Sequence, residues 1–159
     1  MTNAARLQTN SVNRNALMRF ITMMKRGYQQ YGPEFRIQQE EVDNFTERTG
    51  DPEPLHKAGG TPMSPVPIAP GLFEVAFLPR LLPQQLSRLI PGLVVLNKHI
   101  SCEFTRLLYV GQSMQMRFRA AKLAIDELGF YFEFEFQIRA VETRKVIAYG
   151  IIQLRPFAE

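Results

Sequence analysis

Ten consecutive residues near the C-terminal end constrain this chain more than any other feature. Phe130, Phe132, Phe134, Phe136 and Ile138 alternate with Tyr131, Glu133, Glu135, Gln137 and Arg139. Strict period two puts one set on each face of an extended backbone, giving a strand with one buried and one wet face. A helix with this pattern would scatter the phenylalanines around its axis. Met114, Met116 and Phe118 alternate with Gln115, Arg117 and Arg119 in the same way. Asp126 to Gly129 reads as a hairpin turn, and Glu142 to Lys145 as another. Val146 to Leu154 is the last strand and Leu93 to Phe104 the first long one, with a turn or bulge at Val110-Gly111-Gln112. The C-terminal half is therefore an antiparallel sheet with an apolar face that must be covered.

The cover lies just upstream. After Pro70-Gly71 come Leu72, Phe73, Val75, Ala76, Phe77, Leu78, Leu81 and Leu82. A helix over 71–89 with this composition is apolar nearly all round, so it needs burial on most sides. Pro79 kinks it or splits off its last turns. A sheet curved about one central helix satisfies both elements, which is the α+β hot-dog arrangement. Such a sheet has an edge strand to hide, so a homodimer is expected. Further upstream, Gln39 to Thr49 reads as a helix closed by Gly50, with acids in its first turn. Phe35 to Gln38 is a short strand candidate. Leu17, Met18, Phe20, Ile21, Met24 and Tyr28 form one stripe of a helix over 14–31, stopped by Gly32-Pro33. The expected organisation is a basic, mostly helical N-terminal extension over 1–34 and one hot-dog domain over 35–159.

Composition narrows the class. The chain has 159 residues, 45% of them hydrophobic, enough for a single domain with a core. No run of about 18 apolar residues is present, so no membrane insertion is expected. No short apolar run follows the N-terminus, so no secretory signal is expected. Cys102 stands alone in an apolar run, which reads as a buried thiol in a reducing compartment. That fits the cytoplasm or, as an alternative, the mitochondrial matrix. The net charge of +4 resides at the N-terminus: Arg6, Arg14, Arg19, Lys25, Arg26 and Arg36 face Glu34 alone within residues 1–36. Such a segment fits a solvated or docking helix, a contact for an acidic partner, or a mitochondrial presequence. Nucleic-acid binding is not expected, because Glu133 and Glu135 flank Phe132 and Phe134 and oppose phosphate. There is no nucleophile elbow, phosphate loop or Cys/His metal spacing.

One constellation offers chemistry. Asp51 and His56 lie five apart in a loop stiffened by Pro52 and Pro54. A carboxylate and an imidazole within reach of one water form an acid/base pair. Gly71 begins the buried helix, where its N–H can face a developing oxyanion and its missing side chain admits a carbonyl. Each feature also has an ordinary role: Asp51 as a turn residue, His56 as a structural hydrogen-bonder, Gly71 as a helix start. His99, among strand residues, reads as structural.

The residues around this constellation add a resemblance. The run from Val42 through Phe45 to Gly50-Asp51-Pro52-Glu53-Pro54-Leu55-His56 resembles the MaoC-like hydratase signature, a helix ending in Phe followed by Gly-Asp-x-Asn-Pro-Leu/Ile-His. Ile68-Ala69-Pro70-Gly71-Leu72 resembles that family's Ile-Val/Ala-His-Gly-Met/Leu, and Phe104 to Gly111 its Phe-x-x-Pro-Val-x-x-Gly-Asp stretch. The resemblance spans roughly residues 35–156. It implies (R)-specific hydration of 2-enoyl thioesters, or the reverse dehydration of (R)-3-hydroxyacyl thioesters, carried on coenzyme A or acyl-carrier protein. It implies Asp51 and His56 as the catalytic pair, Gly71 as the oxyanion donor, and no cofactor. By position, Phe73, Phe77 and Leu82 would border the acyl chain. The chain departs from the pattern at Glu53, where Asn is usual, at Pro70, where His is usual, and in a short segment between His56 and Gly71. Two other readings stand beside this one. A hot-dog thioesterase would need a helix carboxylate, for which Glu74 is the candidate. A non-catalytic subunit or acyl-binding module could use the basic N-terminus to dock an acidic carrier protein.

Overall fold

In the computed structural model the described residues are 18, 22, 27, 29–30, 34–73, 75–76, 82–83 and 94–157. Among the described residues, six strands form one antiparallel sheet: β1 (Gln29–Gln30), β2 (Phe35–Arg36), β3 (Val94–Phe104), β4 (Ser113–Asp126), β5 (Gly129–Ala140) and β6 (Val146–Phe157). The four long strands lie in the order β4-β5-β6-β3, and both short strands pair with the other edge of β4. The β4–β5 connection is the two-residue hairpin read from Asp126 to Gly129, with Asp126 opposite Gly129 and Gly129 at φ 111°. Register shifts fall at Asn97/His99, Ala120/Lys122 and Ile138/Arg139. Each leaves one extra residue on one strand of the pair, the device by which a sheet can curve over a cover.

The alternation sorts the two faces. Met114, Met116 and Phe118 on β4, Phe132, Phe134, Phe136 and Ile138 on β5, and Ile152 and Leu154 on β6 are all buried. The opposite face is laced with charge: Arg119 pairs with Glu135, Lys122 with Glu133 (3.5 Å), and Asp126 with both Arg155 (2.6 Å) and Lys98 (3.4 Å). Lys98 also lies 4.2 Å from the centre of the Tyr131 ring. The apolar face does the stabilising, because fully burying each such side chain is worth roughly 1.5–3 kcal/mol. The ion pairs, each with at least one partner about one-third or more exposed, contribute little individually.

Helix α1 (Gln39–Thr49) buries Val42 and leans its half-buried Phe45 on the core. Of the helix expected over 71–89, residues 71–73, 75–76 and 82–83 are helical and the rest, Phe77 included, lie outside the described residues. Phe73 and Leu82 are buried in the common core.

Three expectations need correction. The helix read over 14–31 does not reach its expected end. Met18 and Thr22 are helical, but Gln29–Gln30 are extended and pair with Phe118 and Arg117 of β4. The exposed edge of β4 offers unpaired backbone groups, and satisfying them outweighs local periodicity. The last strand continues past Leu154 to Phe157, because β3 pairs with it as far as Val94. Cys102 is half-buried against the core rather than enclosed by it, since β3 is the sheet's outer strand.

Candidate active site

Both ends of helix α1 prepare the site. At its start the Gln38 N–H donates to Glu41 Oε2 at 2.9 Å, and Glu40 and Glu41 sit where the helix dipole favours acids. At its end Gly50 adopts φ 69°, a left-handed conformation that suits glycine. Its N–H donates to Glu47 O (3.3 Å), and the next N–H, that of Asp51, donates to Thr46 O (2.9 Å). This closure satisfies two terminal carbonyls and delivers Asp51 just beyond the helix. Asp51 Oδ1 then accepts the Glu53 N–H at 3.0 Å, turning the chain back. Glu53 carries its own carboxylate onto the Leu55 N–H (3.4 Å), capping a 3-10 turn over Pro54–His56. The residue that departs from the family pattern thus has a local structural task.

Three elements hold that turn. The Lys57 N–H donates to Pro54 O (3.1 Å), the Ile68 N–H to Leu55 O (2.9 Å), and Gln39 Nε2 to His56 O (2.7 Å). Ile68 belongs to a segment stitched in turn to the stretch before β4, by Ala69 N–H to Leu108 O (2.8 Å) and Val110 N–H to Pro67 O (2.9 Å).

His56 Nδ1 lies 2.6 Å from Ile68 O. A carbonyl oxygen only accepts, so Nδ1 carries the proton and donates it. In the neutral ring the lone pair is then on Nε2, which faces Asp51 Oδ2 at 3.7 Å. That separation exceeds a direct hydrogen bond and suits one water contacting both groups. The His56 side chain is 14% exposed and that of Asp51 31%, so the imidazole is sheltered while the carboxylate meets solvent.

Asp51, His56 and Gly71 share one cleft of about 340 Å³, completed by Phe45, Thr49, Pro70 and Leu72. Gly71 is the first residue of its helical stretch, so its N–H has no acceptor within the helix. A side chain here would strike the Phe104 ring: a Cβ would lie 3.1 Å from Cε2 and 3.3 Å from Cζ. A second recess of about 450 Å³ also borders Asp51, lined by Asp43, Thr46, Glu47 and Lys57 among others. Neither His56 nor Gly71 borders it, so Asp51, His56 and Gly71 come together only in the first cleft.

The three residues singled out for catalysis therefore meet in one place. Of those placed along the acyl chain, Phe73 and Leu82 are not among the residues lining the cleft. Phe73 instead packs edge-on against Phe45, with ring centres 5.3 Å apart. Sequence reading missed Thr49, Phe45, Pro70 and Leu72 as lining residues, and the Ile68 carbonyl as the group that sets the His56 tautomer. A backbone carbonyl leaves no signature in a sequence, whereas Phe45, Pro70 and Leu72 stood within the matched motifs. No group of three metal-ligating side chains is present among the described residues. No helix among them is long and apolar enough to cross a membrane.

No protein-family model matches the chain, and no curated protein matches it in sequence. Solved structures do. An R-hydratase of Pseudomonas aeruginosa superposes with a TM-score of 0.62 over 84% of this chain and 81% of its own, at 17% identity. A MaoC-like dehydratase of Rhodospirillum rubrum gives 0.62 over 84% and 92%, at 12% identity. A fluoroacetyl-CoA-specific thioesterase gives 0.59 over 82% and 92%, at 11% identity. These likenesses show that the chain has the hot-dog fold. The same fold carries hydratases, dehydratases and a thioesterase, so the activity has to be argued from the site.

Proposed function

We propose that this chain is a MaoC-like hydro-lyase that adds water to 2-enoyl thioesters, or removes it from (R)-3-hydroxyacyl thioesters, using Asp51, His56 and the Gly71 N–H. The observation that carries the reading is the convergence of His56 Nε2 on Asp51 Oδ2 at 3.7 Å, beside Gly71, in one cleft. A water between them donates one hydrogen to Nε2 and the other to Oδ2. Its oxygen lone pairs are then turned outward, toward C3 of a bound enoyl thioester. As the C3–O bond forms, the pair takes a proton from that water. The same pair returns it to C2 on the same face, so the addition is syn; the face of C3 turned toward the water sets the configuration, taken as (R) from the MaoC-like resemblance. The electrons of the C2=C3 bond move toward the thioester oxygen, where the Gly71 N–H meets the developing negative charge. Dehydration is the same path reversed.

The thioester is carried on coenzyme A or acyl-carrier protein, and the acyl group meets the apolar wall of Phe45, Pro70 and Leu72. A homodimer formed along the outer edge of β3 would complete the sheet. The test is hydration of short, medium and long 2-enoyl-CoA, followed by loss of the enoyl absorbance and by the chirality of the product. Turnover to the (R)-3-hydroxyacyl thioester is expected. Release of free thiol instead would replace this reading with the thioesterase one. Inertness toward both CoA and carrier-protein substrates would replace it with the non-catalytic subunit.

A further inference from the structure

We infer that Gln39 is a positioning residue for His56, acting as the strut that holds the imidazole at its working distance from Asp51. The inference rests on the acid/base reading of that pair. Gln39 is the first residue of helix α1, and Asp51 lies two residues past the end of that helix. The eleven-residue helix is about 16 Å long, and the loop from Asp51 to His56 runs back along it. Without a tie at its far end, that loop would be anchored to the helix only near Asp51. Gln39 supplies the tie.

Its side-chain amide donates twice: to His56 O at 2.7 Å and to Asp43 Oδ1, one helical turn on, at 2.8 Å. Both partners are acceptors, so the NH2 group and not the carbonyl must face them. Both amide protons are used, and the Asp43 carboxylate fixes the rotamer from which Gln39 reaches across. The carbonyls of the 3-10 turn are capped from three different places, Pro54 O by Lys57, Leu55 O by Ile68 and His56 O by Gln39. Only the last bond links the turn to the helix that presents Asp51. The Ile68 bond fixes which nitrogen of His56 is bare, and the Gln39 bond fixes where that nitrogen stands.

The experiment compares Gln39→Glu and Gln39→Lys with the wild type. Glutamate has the same shape but presents a carboxylate to two acceptors. Lysine keeps the donor in a different shape. For catalysis, Gln39→Glu is expected to lower kcat about tenfold with KM nearly unchanged, as small misplacements of catalytic groups do. Gln39→Lys should recover most of that loss. A role confined to packing predicts the opposite order. The second arm needs no turnover. The chain has two histidines, so nitrogen NMR, assigned with a His99→Gln variant, reads the His56 ring directly. The wild type should show a protonated Nδ1 and a bare Nε2, and Gln39→Glu should shift and broaden those resonances. Unchanged His56 resonances in Gln39→Glu, or unchanged kcat, would overturn the inference. A shifted His56 signal in a protein inert toward every enoyl thioester would uphold the strut and sink the hydro-lyase reading instead.

Discussion

Replacing Asp51 by Asn separates the catalytic reading from a structural one, because the two roles of this carboxylate use different oxygens. Oδ1 accepts the Glu53 N–H at 3.0 Å and so shapes the loop, while Oδ2 faces His56 Nε2 at 3.7 Å. An Asn Oδ1 can keep the first contact, and the Asp51 N–H bond to Thr46 O is untouched. The other oxygen becomes an NH2 group, which cannot take a proton from water. The loss of the Asp51–His56 contact itself is small: Asp51 is about one-third exposed and the contact is long, so a stability change within about 1 kcal/mol is expected. The catalytic loss should be much larger. General acid–base participation is worth about 10²–10⁴-fold, or roughly 3–5 kcal/mol of barrier. Urea unfolding and enoyl-CoA hydration on the same preparation give both numbers. A variant with at least one-third of wild-type turnover would refute the assignment of Asp51. So would a loss of turnover matched by an equal loss of stability, since the loop role would then suffice.

Other substitutions probe the frame and the charged face. Phe134→Ala empties a fully buried position at the centre of the sheet and should cost about 3–5 kcal/mol, read as a lower urea midpoint at similar slope. Gly150→Ala would place a methyl 1.9 Å from Ser101 O, a backbone atom of the paired strand β3; loss of soluble folded protein is expected, and normal yield and Tm would contradict the register. Gly71→Ala would press on the half-exposed Phe104 ring, so we expect reduced turnover with little change in Tm and partial recovery in Gly71→Ala/Phe104→Leu. Asp126 titrates below the ordinary carboxylate value, first because Arg155 hydrogen-bonds it and further because Leu128 N–H and Lys98 do, against an opposing desolvation. A depressed folded value means that the pair's stabilisation is present above the unfolded carboxyl pKa and is lost as pH falls through the folded one. Arg155→Met should therefore raise the Asp126 midpoint in a carboxyl NMR titration, and its Tm deficit should shrink in strong acid.

Much of this molecule was legible before folding because its signals are local. Period-two alternation from Met114 to Arg139 dictates which side chains share a face, whatever the rest of the chain does. The same holds for Gly50 closing a helix and for the hairpin at Asp126 to Gly129. The motif around Asp51, His56 and Gly71 was legible as a set of residues with suitable chemistry. Their meeting in one cleft was not, because it depends on Ile68 being pinned between the 3-10 turn and the stretch at Leu108. The strand at Gln29–Gln30 carries no period of its own and exists because the edge of β4 has unpaired backbone groups. Glu53 stood out only as a departure where Asn is usual, and the turn shows its carboxylate accepting the Leu55 N–H. Phe73 and Leu82, apolar and near the motif, could equally have lined a pocket or filled a core; packing put them in the core. The sequence determined which surfaces must be buried and which groups can move protons. Only the tertiary structure decided which nitrogen of His56 is bare and how far it stands from Asp51, because backbone carbonyls and a distant amide, not neighbours in sequence, hold that ring.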